Sequence, residues 1–193
     1  MINLSIENLR LEKINFSLLL SLVFFPGALG IIVNLVTQEF WADKLLAFSL
    51  FLFCLEQCKM AILDLRQIRE VKRYIKEPRL DNFTRITIIT IIVEVIGFYV
   101  CSFSLYWGGI IIMTSLILFN LLADIQLETI DKTTLKNLGI IQKLPLLIAD
   151  ILGLILVTLA MLGIASLAIN SVLLIMVITY GCLKYVRFNN SIN

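Results

Sequence analysis

The sequence predicts an all-α, polytopic integral membrane protein, a bundle of about six transmembrane helices within a range of four to six. Three observations predict it. Of the residues, 60% are hydrophobic and only 16% charged, with a mean hydropathy of +0.97. Soluble domains carry about 25% charged residues. The hydropathy is organised into six long apolar runs, and 193 residues hold six spans of about 20 residues with short connections. The Lys and Arg residues are segregated: of sixteen, fifteen lie in or beside alternate pieces, namely the two termini, 64–85 and 129–143. The opposite set of connections holds only Lys44. Cytoplasmic enrichment of Lys and Arg sets orientation in multispanning proteins, so both termini are expected in the cytoplasm.

At the N-terminus, Ile2, Ile6, Leu9 and Lys13 share one helical stripe, which predicts a short interfacial helix. Span 1 is expected over 14–36, with a kink at Pro26 and Gly27, since proline removes an amide donor within the helix. Phe16–Phe25 followed by Ala28-Leu29-Gly30 has some features of a signal peptide, but the apolar run continues to Val36 and favours a retained span. Phe40-Trp41 reads as an interfacial aromatic anchor.

Span 2 is expected over 45–65, followed by a charged amphipathic cytoplasmic helix over 66–79 that extends it. Leu65, Ile68, Val71 and Ile75 form an apolar stripe through that segment, and Arg66/Glu70 and Arg73/Glu77 are spaced to pair along a helix. With Arg66, Arg69, Lys72 and Arg73, the stripe forms a candidate docking surface. Two occupants fit it equally: a soluble cytoplasmic protein, or membrane lipid with the basic residues among the headgroups.

Span 3 is expected over 84–104, with Tyr106-Trp107-Gly108-Gly109 as the turn into span 4 over 110–125. The connection 129–143 places Leu135, Leu138 and Ile141 at helical spacing. Spans 5 and 6 follow over 144–162 and 165–185, with a hairpin between them because 144–187 is too long for one crossing. In span 5, Ala149 and Gly153 mark a helix-packing face.

Ionisable residues within spans cost about 2.5–3.5 kcal/mol each on insertion scales, so they are the natural functional candidates. Glu56, Lys59, Glu94 and Asp150 form the expected intramembrane polar cluster, with Asp124 nearer the boundary. Glu56 and Lys59 are spaced to pair on one helix face. Glu94 has no partner in its own span. The cluster fits either a structural set that fixes helix register or a proton- or cation-coupled path centred on Glu94.

Histidine is absent, which removes the commonest general base and metal ligand. Cys54, Cys58, Cys101 and Cys182 lie in apolar runs, without metal spacing, and are expected to pack as small apolar residues. No Gly-rich phosphate loop or nucleophile motif occurs. No catalytic residue, metal site or cofactor is expected, and no direct binding of nucleic acid.

A chain of this size and layout, with one charged helical extension and no catalytic set, resembles the membrane subunit of the Kiwa anti-phage defence system. That resemblance implies a non-enzymatic scaffold or sensor of the bacterial inner membrane that forms a homo-oligomer and docks a soluble cytoplasmic effector. A small ion channel or coupled transporter with its polar path around Glu94 is the other reading.

Overall fold

The computed structural model describes residues 2–128, 134–137 and 139–190, with side-chain surroundings for 17–125, 139 and 141–182. The structure is an all-helical bundle. Its helices are α1 (Ile2–Thr37), α2 (Trp41–Lys72), α3 (Pro78–Cys101), α4 (Leu105–Leu122), α5 (Ile140–Met161) and α6 (Ser166–Asn190). A short hairpin, β1 (Ile125–Glu128) and β2 (Thr134–Asn137), separates α4 from α5. Among the described residues, five helices are long and apolar enough to cross a membrane: α1 from Ser17, α2, α3, α4 and α5. α6 adds the apolar stretch Ser166–Cys182, at the short limit of a spanning length of about 17–25 residues.

The helices close a ring in the order α1, α2, α6, α5, α4, α3, and α2 also reaches across it to α3 and α4. They alternate in direction. The connections 38–40, 102–104 and 162–165 therefore gather at one end, here the aromatic end, which carries exposed Phe40, Trp41, Phe103 and Trp107. The link after α2, the hairpin, the start of α1 and the end of α6 belong to the other, the basic end.

Small residues let the helices approach closely. A Cβ at Gly30 of α1 would overlap the Ser102 side chain, and one at Gly108 of α4 would lie 2.6 Å from the Gly97 carbonyl of α3. Gly27 is likewise pressed on Phe98, and α1 is one helix with Pro26 inside it. Phe98 of α3 is fully buried, with Phe24 of α1 and Phe53 of α2 at ring-centroid distances of 5.9 and 6.4 Å. Ile31, Leu46, Leu50, Ile112 and Val157 surround them.

Several sequence expectations are corrected. Gly108 and Gly109 are buried packing positions inside α4, and the turn lies at 102–104. α2 stops at Lys72 short of 79, and Pro78 opens α3 well before the expected start of span 3. The residue before a proline avoids the helical region, and Glu77 is extended at φ −129° and ψ 132°. Ile125 belongs to β1, and the connection expected to be helical forms a hairpin in which Ile125 pairs with Asn137 and Leu127 with Leu135. Leu138 and Lys132 lie outside the described residues. Cys182 is exposed and Cys58 partly so, while Cys54 and Cys101 are buried.

The turn between α5 and α6 is closed by Gly163 at φ 77°. Its amide donates to the Ala160 carbonyl, and that of Ile164 to the Leu159 carbonyl, a glycine-capped helix end. The 144–187 stretch is therefore two helices.

Candidate functional site

At about 1.5 Å per residue, α2 is about 48 Å long, against a hydrocarbon core of about 30 Å. Its surplus turns lie at the basic end, and there the structure builds a second, smaller core. Ile68 and Val71 of α2 are buried against Leu80 and Phe83 of α3, Ala123 and Ile125, with Leu65, Ile75 and Phe119 at the margin. The expected docking stripe is thus covered by the chain's own residues. A stripe at helical spacing shows that a face is buried, but not against what.

The charges of this segment are distributed around that core. Lys72 bridges to Asp81 at 2.8 Å, tying the end of α2 to the first turn of α3. Glu77 pairs with Arg79 rather than with Arg73, because the helix has already ended. Arg69, Arg73, Lys76 and Arg85 are exposed, Tyr74 is 78% exposed, and Arg66 is half-buried. On the far side, Lys143 of α5 is buried and its Nζ reaches the exposed Asp124 carboxylate at 3.4 Å.

The intramembrane polar residues are distributed over three helices, α2, α3 and α5. Glu94 is buried at 3% exposure in the middle of α3, on the side of Cys54 of α2. Asp150 lies on α5, which packs on α4 and α6, and its carboxylate accepts a 2.6 Å hydrogen bond from the Asn120 amide of α4. Glu56 is half-buried on α2. Lys59 is exposed beside a groove between α1 and α2. Lys72–Asp81, Arg79–Glu77 and Lys143–Asp124 are ion pairs among the described residues. Gly153 packs on Met113 of α4, which places that small-residue face inside the chain.

Sequence reasoning missed a third polar set, at the aromatic end. The Tyr106 hydroxyl of α4 donates to the Asp43 carboxylate of α2 at 2.6 Å. Asn170 of α6, fully buried, donates to the Ala42 carbonyl at 2.8 Å. Its Oδ1 has no hydrogen-bond partner among the described residues. These bonds join the starts of three helices. The sequence signal was Asn170 itself, an amide in an otherwise apolar stretch. Nearby, Asn34 of α1 donates to the Cys101 and Ser102 carbonyls, both at 3.0 Å. Lys44, the only basic residue expected in this set of connections, stands 5.3 Å from the centre of the Trp41 ring.

Among the described residues no group of His, Cys, Asp or Glu is placed to hold a metal ion. A scan against protein-family models finds no match, and searches of curated proteins and of solved structures return no similar chain.

Proposed function

We propose that this protein is a non-enzymatic membrane scaffold or sensor, homo-oligomeric, that holds a soluble cytoplasmic effector at its basic end. The observation that carries the reading is the second core. Spanning a membrane does not require α2 to continue past the bilayer, nor to bury Ile68 and Val71 against α3 and the residues after α4. Burial of that apolar surface in contact with water stabilises the unit by about 25 cal/mol per Å². The result is a platform with Arg73, Tyr74, Lys76 and Arg85 outward.

The dock is therefore the charged surface, not the apolar stripe, and it suits a partner with an acidic face. Electrostatic complementarity of this kind sets encounter rate and partner choice. The segregation of Lys and Arg supports a cytoplasmic side for this end. The resemblance in size and layout to the Kiwa membrane subunit supports antiviral defence at a bacterial inner membrane as the setting.

The test uses the full chain co-expressed with the soluble product of a neighbouring gene. Arg73→Glu, Lys76→Glu and Arg85→Glu together should abolish co-purification and leave membrane insertion unchanged. Retained co-purification would reject the charged dock. Proton or cation flux through reconstituted protein, lost in Glu94→Gln with assembly intact, would establish the channel reading instead.

A further inference from the structure

The groove between α1 and α2 has a volume of about 380 Å³, within the usual range for small-molecule pockets of about 300–1,000 Å³. Its walls are apolar, with Phe25, Ala28, Leu55, Ile62 and Leu63 among them. Phe25 and Leu55 are 55% and 51% exposed, so the groove opens sideways towards lipid rather than into the ring. One cation lines it, Lys59, which belongs to none of the ion pairs among the described residues.

Depth makes the arrangement specific. Lys59 stands about 27 Å along α2 from Trp41, at about 1.5 Å per residue. With Trp41 at one interface, the Lys59 ammonium reaches the headgroup level of the leaflet at the basic end, about 30 Å away. From Lys59 the groove rises past the facing Ser21 and Cys58 to Ala28 and Cys54, towards the middle of the bilayer. Its length from Leu63 to Cys54 is about 14 Å, and a helix of about 10 Å diameter crossing the whole membrane would not fit it. A single hydrocarbon chain would.

We propose that this groove is a lipid site that takes one acyl chain of an anionic phospholipid from the leaflet at the basic end, with Lys59 paired to its headgroup. The site does not depend on effector docking, since Lys59 and the groove lie within the membrane and the platform beyond it. Bound lipid here would hold α1 against α2 where their packing is open.

The experiment reconstitutes the full chain in phosphatidylcholine nanodiscs with a trace of phosphatidylglycerol carrying a photoreactive group in mid-chain. Labelling should map to 21–28 and 54–63, and a phosphatidylcholine probe of the same design should label those peptides only at background. Lys59→Gln should lower labelling about fivefold, as expected for one basic residue at a lipid surface, and Lys59→Arg should retain it. Leu55→Trp, a change in an exposed wall, should block the groove with Lys59 in place and also abolish labelling. Equal labelling by both probes, or no effect of Lys59→Gln and Leu55→Trp, would overturn the site. So would disulfide cross-linking of Leu55→Cys between copies with no lipid label, which would make the occupant a second copy.

Discussion

Asn34 shows how a single polar side chain holds two helices together at a membrane boundary. The last carbonyls of a helix lack partners of their own. At the end of α3, the Asn34 amide supplies hydrogen bonds to Cys101 and Ser102 from the neighbouring α1. Replacing it by leucine keeps the volume and leaves both carbonyls to other donors. Asn34→Leu should cost about 1–2 kcal/mol, read as a shift in denaturant unfolding in detergent micelles. The adjacent Gly30 acts through space rather than hydrogen bonding. Gly30→Ala would force α1 away from Ser102 and should cost about 1–3 kcal/mol. Ser102→Gly in the same chain should recover part of that loss, because the two positions share one contact. Neither role was legible beforehand. A glycine in an apolar run does not announce its neighbour, and Gly108 and Gly109 were expected to turn the chain for the same reason. Their lack of a side chain is used for contact between α3 and α4, not for a bend.

The elements themselves were legible where the deciding property is local. Apolar length is a property of short windows, and it made the helical membrane bundle legible, together with an α2 longer than a hydrocarbon core is thick. Partners in space are not local, so the sequence showed the Leu65–Ile75 stripe without showing that Leu80, Phe83 and Ile125 cover it. The same limit applies to Glu94 and Asp150, which share a chemical type but sit on helices separated by α4. The stripe now carries a sharper expectation. Val71→Asp places a carboxylate, on the order of 3 kcal/mol or more unfavourable, in a core with no designed partner. It should loosen the basic end while the ring of helices stays inserted. Limited trypsin digestion reads this directly, through faster cleavage at Arg69 and Arg73 with an unchanged membrane fraction. Arg73→Glu, on the exposed surface, should leave the digestion pattern of the remaining sites unchanged. If Val71→Asp were equally protected, the second core would not be a structural unit.

At the scale of the whole molecule, the ring gives the two ends different physics. Between helices inside the bilayer, lipid competes on equal terms with apolar side chains, so association there rests on close packing. Gly30, Gly97 and Gly108 provide that packing, with Phe98 buried in the same core. Beyond the bilayer water is the competitor, and the second core can be stabilised by burial alone. The basic end is thus the part of the chain that can fold, unfold or be covered without dismantling the ring. An alternating six-helix ring also fixes where labels must appear. In a background with the native cysteines replaced by serine, Tyr74→Cys should react with a membrane-impermeant maleimide only from the cytoplasmic side. Phe103→Cys, 90% exposed at the aromatic end, should react only from the opposite side. The reverse pattern would turn the platform outward, and a cytoplasmic effector would then have no access to it. Labelling of both positions from one side would show that α3 does not cross, and the ring would have to be redrawn without it as a span.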